Sequence, residues 1–229
     1  MAGHFVASFV YILPLMLFAL LGDCVCAEFD SLYKHLQRHI TSDGEIIHRS
    51  VEWYRQAHEK LCVLIEMIDE IFAPVVLVGI FASVLEMFML VFTVSDFLTH
   101  GRFTALIAFN EFFWFSFHFG QVCISTVIGI KVNRAAHSIL QLLYKLNIPR
   151  LKQSGEIPSL SVFLNKLTGN HIGFTCGGLF TIDASAVLTI SGTYITYQLL
   201  LFQLQKDFGS PTDTTAAVSV FDQIHNVTK

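Results

Sequence analysis

Four stretches of this sequence are too long and too apolar to fold in water, and they restrict everything else the chain can do. Residues 5–21, 74–94, 103–130 and 184–204 contain only two charged side chains between them, Glu86 and Glu111. A helix needs roughly 20 mostly apolar residues to cross the hydrocarbon core of a bilayer, at about 1.5 Å of rise per residue. Lipid offers no hydrogen bonds to a backbone, so such runs must satisfy their own amides, and helices do this. The fourth run follows an apolar, glycine-containing stretch, residues 172–182. Of the 229 residues, 53% are hydrophobic and 14% charged. Soluble domains carry charge on about a quarter of their residues, so this chain cannot coat a water-exposed surface. The expected fold is all-α: a polytopic membrane helix bundle with four spans and long helical extensions in the cytosol.

Lysine and arginine set the direction. Eleven of the fourteen lie in two long loops: Lys34, Arg38, Arg49, Arg55 and Lys60 in one, and Lys131, Arg134, Lys145, Arg150, Lys152 and Lys166 in the other. Arg102, Lys206 and Lys229 lie elsewhere. Basic loops stay in the cytosol. The expected order is a first span (1–27), a cytosolic loop with an amphipathic helix (28–73), two spans (74–130), a cytosolic helical region (131–183), a last span (184–205) and an extracellular tail (206–229). Both termini then face outward from the plasma membrane, and Asn226, in an Asn-Val-Thr sequon, becomes a glycosylation candidate. A rival reading takes the amino terminus as a signal peptide cut before Glu28. It lacks a cationic start and has an overlong apolar run.

The basic loops are themselves patterned. Ile47, Val51, Tyr54, Leu61, Leu64, Ile65, Ile68 and Phe72 recur near i+3/i+4 spacing, with charged residues elsewhere on the wheel. Ile139, Leu142, Leu143 and Leu146 extend the third span in the same way, and residues 160–167 read as a short amphipathic helix. Such apolar stripes need partners, so we expect them to pack together or against other copies of the chain.

Catalytic chemistry has no footprint. The sequence contains no nucleophile–base arrangement, phosphate-binding glycine loop or paired-carboxylate motif, and no cofactor is expected. The absence of a basic block with interleaved aromatics argues against nucleic acid as a partner. Cys24, Cys26, Cys62, Cys123 and Cys176 are odd in number and sit in or beside apolar runs, which argues against a disulfide framework. His35 and His39, with Cys24 and Cys26 upstream, have zinc-ligand chemistry. Acylation of cysteines at a membrane edge is an equally good reading, and no metal site is expected.

The segment Phe174-Thr175-Cys176-Gly177-Gly178-Leu179-Phe180-Thr181-Ile182-Asp183 resembles the signature that precedes the last span of arthropod gustatory receptors, with either an extra glycine or a glycine in place of the usual bulky residue at the centre. Thirteen residues beyond Asp183, the run Thr196-Tyr197-Gln198-Leu199-Leu200-Leu201-Phe202-Gln203-Leu204 is similar to that family's Thr-Tyr, five mostly apolar residues, Gln-Phe pattern. Gln198 and Leu204 depart from it. The loop layout is similar to spans four to seven of the family, whose members have seven. The resemblance therefore implies that three spans are missing from a partial gene product, with a genuine short relative as the other account. Gln198, where many sugar-sensing members carry an acid, tilts the reading away from that branch.

The resemblance implies a gustatory receptor: a homo- or hetero-tetrameric, non-selective cation channel opened by a small-molecule tastant, with the last span lining the pore. The residues can also be read for this role directly. Thr196, Leu199, Leu200, Gln203 and Leu204 place polar, apolar and polar rings along one end of the helix. Apolar rings gate by dewetting, and amide oxygens replace part of a cation's hydration shell. Taken alone, the same helix better suits a span that packs sideways through Gln203; the motif favours the pore. The resemblance places the ligand in the outer half of the bundle, where Tyr11, Glu86, Asn110, Glu111 and Trp114 are candidates. Polar groups at membrane depth face a protein interior or a wet cavity, so hydrogen bonds between helices would also account for them, and for His118. The alternative function is a non-channel four-span scaffold or accessory protein.

Overall fold

The computed structural model describes residues 2–40, 50–99, 104–146, 155–169 and 172–209. Helix α1 spans Ala2–His39, α2 Val51–Thr99 and α3 Ala105–Ser138. A single turn, α4 (Leu140–Leu143), and helix α5 (Ile157–Gly169) follow. Next comes a two-stranded antiparallel hairpin of β1 (Thr175–Cys176) and β2 (Phe180–Thr181), and then α6, Ala184–Gly209. The chain divides into two compact units, Met1–Val187 and Leu188–Lys229.

Four of these helices are long and apolar enough to cross a membrane. The 49 residues of α2 extend about 73 Å, more than twice the hydrocarbon thickness. Its first half carries Glu52, Arg55, Glu59, Lys60, Glu66, Asp69 and Glu70, which hydrocarbon will not accept. The part of α2 whose composition suits hydrocarbon is therefore its second half, residues 74–94, and residues 51–73 suit water. The first helix also runs on past its apolar part, unbroken through residues 28–39, so this part of the expected loop is helical.

The two halves of the first unit are inverted in polarity. Outside the apolar segments, a core buries Phe29, Leu32 and Leu36 of α1, Val51, Tyr54 and Ile65 of α2, Val132 and Ala136 of α3, and Leu160, Phe163 and Leu167 of α5. Burying each large apolar side chain stabilises the fold by about 1.5–3 kcal/mol, as in a water-soluble bundle. Within the apolar segments a few large side chains, such as Phe18, Met87 and Ile128, are buried, but many point outward instead: Leu106 is 80% exposed, and Phe109 and Phe112 are each 70% exposed. Lipid, not water, is the surrounding that such a surface fits.

Ile139, Leu142, Leu143 and Leu146 are all buried, as their spacing predicts. The amphipathic stripe on α2 needs correction. Leu64 points outward, whereas His58 and Cys62 lie inside with Val51, Tyr54, Ile65, Ile68 and Phe72. His58 is held there by hydrogen bonds, its Nε2 donating to the Ala136 carbonyl at 2.9 Å and its Nδ1 lying 3.4 Å from the Cys62 thiol. Glu156, ahead of α5, accepts the Val51 N–H at the start of α2 (3.1 Å), where a carboxylate also suits the helix dipole. Lys166 of α5 pairs with Glu59 of α2 at 2.5 Å.

Candidate functional site

The motif ahead of the last helix folds into a docked hairpin. The carboxylate of Asp69 accepts two hydrogen bonds from Thr175, one from its N–H and one from its hydroxyl, both 2.6 Å. The same hydroxyl accepts the Gly178 N–H at 3.0 Å. Gly177 donates its N–H to the Ala73 carbonyl at 3.1 Å, and a Cβ on it would lie 2.5 Å from Leu77 Cδ2. Asp69, Ala73 and Leu77 recur every four residues, so the hairpin is seated along one face of α2.

The central glycine pair that departs from the usual motif has a geometric reason. Gly177 and Gly178 have φ of 61° and 72°, and the Leu179 N–H closes the turn on the Cys176 carbonyl at 3.1 Å. Two successive positive φ values characterise a type I′ hairpin turn, which side chains resist and glycine does not. Phe174 is fully buried, its ring centroid 4.8 Å from that of Phe18 in α1. Burial also pushes the Cys176 thiol above its ordinary pKa, with the nearby Asp69 charge adding to the effect. Ile182 presses into a notch left by Gly129 of α3, where a Cβ would come within 2.5 Å of Ile182 Cγ2. Asp183 then caps α6, its carboxylate accepting the Ala186 N–H at 2.7 Å.

Helix α6 carries the remaining motif residues. Thr196 donates its hydroxyl to the Gly192 carbonyl one turn back at 2.9 Å. Leu199, Leu200, Gln203 and Leu204 are exposed on the single chain, as is Tyr197. At 100° per residue, Thr196, Leu199, Leu200 and Gln203 share one face. Gln198 and Tyr194 lie on the opposite face, and the Gln198 amide donates to the Tyr194 hydroxyl at 3.0 Å. The polar departure at Gln198 is thus engaged within its own helix.

The proposed ligand residues are only partly brought together. Asn110 donates to its sequence neighbour Glu111 at 3.2 Å, and Trp114 stacks on His118 with centroids 6.2 Å apart. Glu86 and Asn110 are exposed, and the Tyr11 side chain lies outside the described residues. A polar cluster at membrane depth involves residues that the spacing argument did not single out: Ser83 of α2 donates to the Gln121 side chain of α3 at 2.9 Å. One turn away, His118 Nδ1 is buried with no hydrogen-bond partner. The signal was present as polar residues three apart on apolar helices, Ser83 with Glu86 and His118 with Gln121.

A family model for the 7tm chemosensory receptors matches residues 2–208, nearly the whole chain. The chain belongs to the 7tm chemosensory receptor family. This is the family of the insect gustatory receptors, and the protein is accordingly a chemosensory receptor and a membrane protein. No curated protein matches this sequence. In this chemosensory receptor, the motif read from sequence serves two different purposes. Phe174, Thr175, Cys176, Gly177, Phe180 and Asp183 build the hairpin and its cap, while Thr196, Tyr197 and Gln203 decorate the helix that follows. Of the histidines weighed as zinc ligands, His35 has its Nδ1 2.9 Å from the Tyr54 hydroxyl, and its ring lies 4.5 Å from that of His39. Among the described residues, no three His, Cys, Asp or Glu side chains converge as metal ligands would. Asn226 lies outside the described residues.

Proposed function

We propose that this chemosensory receptor is a subunit of a tetrameric, non-selective cation channel in the plasma membrane, opened by a small-molecule tastant and lined by α6. The observation that carries the reading is α6 itself. Its mean hydropathy of 1.3 is, with the 1.4 of α3, the lowest among the four spans, against 2.6 for α2. Polar side chains lie on two opposite faces of it, Tyr194 and Gln198 bonded to each other on one, and Thr196, whose hydroxyl is bonded back to its own helix, with exposed Gln203 on the other. A stripe of hydroxyl and amide oxygens, broken by Leu199 and Leu200, matches a water-filled path with a dewetting gate. Four copies would cover the apolar flanks that one copy leaves exposed.

The tastant would bind in the outer half of α2 and α3, near Trp114, His118, Glu86 and Gln121. An aromatic face beside polar groups suits a ring-bearing ligand with hydroxyl or amine substituents. The basic loops then face the cytosol, both ends of the chain face outward, and the protein has no enzymatic role. The test is current recording from cells that display the chain at their surface during a panel of sugars, alkaloids and amines. A cation current evoked by at least one compound and absent from mock cells is expected. Surface-displayed protein that passes no current with any of them would favour the accessory-protein reading instead.

A further inference from the structure

We propose that the Asp69–Thr175 pair is a latch through which the proline turn of α2 sets the position of the first turn of α6; its functional meaning rests on the channel reading above. Pro74 lies inside α2 and has no N–H to donate, so the helix is most easily bent at residues 70–74. The hairpin grips α2 on both sides of that weak point. Asp69, before it, holds Thr175 by two charge-assisted hydrogen bonds. The Ala73 carbonyl, at the weak point, accepts from Gly177, and Leu77, after it, packs beneath that glycine.

Beyond the hairpin every link to α6 is short and bonded. The Ile182 N–H donates to the Phe174 carbonyl at 2.8 Å, Ile182 is wedged against Gly129, and Asp183 caps the helix within the next turn. A bend of α2 at Pro74 therefore cannot leave the start of α6 in place without breaking one of these contacts. The extramembrane half of α2, anchored by Tyr54, His58 and Glu59, gives the lever a fixed end. Asp69 is thus a positioning residue for the first turn of the last helix.

The test uses the full chain reconstituted in liposomes with Gln203→Cys as a reporter. Its labelling rate by a membrane-impermeant methanethiosulfonate is followed by peptide mass mapping, and spontaneous cation flux is measured on the same vesicles. Asp69→Asn and Thr175→Val are each expected to raise labelling about tenfold, the shift that losing one hydrogen bond to a charged group produces. Thr175→Ser, which keeps the hydroxyl, should label at the parent rate, and the double variant should exceed neither single one. Parent-like labelling in folded variants, or effects that multiply in the double variant, would overturn the latch. If Asp69→Asn does not fold, Thr175→Val carries the test. Failure of both to fold would make the pair a folding clamp and overturn the proposal. A chain with its native Gln203 that passes no cations with any tastant of the panel contradicts the channel reading alone, because the labelling comparison still decides the latch.

Discussion

Gly177 and Gly178 share a positive φ but not an environment, and the difference separates two costs. An alanine at either position meets the left-handed penalty of about 1–2 kcal/mol. Only at Gly177 would its Cβ also collide with Leu77, since nothing lies within 4 Å of a Cβ at Gly178. Thermal unfolding in detergent should therefore show a larger loss for Gly177→Ala than for Gly178→Ala. The cysteines differ in a similar way. Cys24 is exposed, while Cys62 is buried and its thiol is pushed up to about 11 by burial. Only the thiolate reacts, and at pH 8 about one Cys62 in a thousand is ionised. Alkylation of the folded protein followed by mass mapping should mark Cys24 and spare Cys62. His58 adds a pH dependence: burial lowers its pKa below the usual 6.5. The unfolded chain then binds the proton first, so stability should fall as pH drops below 6.5 and be insensitive to this group above it. His58→Gln should flatten that acid limb.

At the scale of elements, the spans could be read from the sequence because lipid imposes a length and a near-absence of charge, and both are local properties of a run. The short helix over residues 160–167 and the buried leucines of residues 139–146 followed from periodicity for the same reason. The hairpin could not be read this way. Asp69 and Thr175 are 106 residues apart, and no periodicity announces a carboxylate that will meet a threonine. Leu64 and His58 show the other limit. Hydrophobicity put Leu64 inside, but the inner face of α2 passes through His58 and Cys62, whose polar atoms find partners there. At the α6 end, Ile182→Ala would empty the notch beside Gly129 and should cost about 2–5 kcal/mol. Leu188→Ala, at a residue 75% exposed, should leave the melting temperature of the chain in detergent nearly unchanged.

At the scale of the whole molecule, the central claim is that α6 is wet along one stripe because copies of the chain surround an ion path. If so, chemical cross-linking in the membrane should stop at four subunits. The shared face of Thr196, Leu199, Leu200 and Gln203 was legible because it follows from helical spacing alone. The Ser83–Gln121 contact was less so, because it is assembled from two helices and a single-helix pattern does not report it. The most direct measurement is cysteine substitution along α6 with current recorded before and after a small, charged thiol reagent. Cysteine at Thr196, Leu199, Leu200 or Gln203 should bring block, and cysteine at Gln198 or Leu201, on the opposite face, should not. Block that ignores this periodicity, or no block at any of the six, would contradict the account.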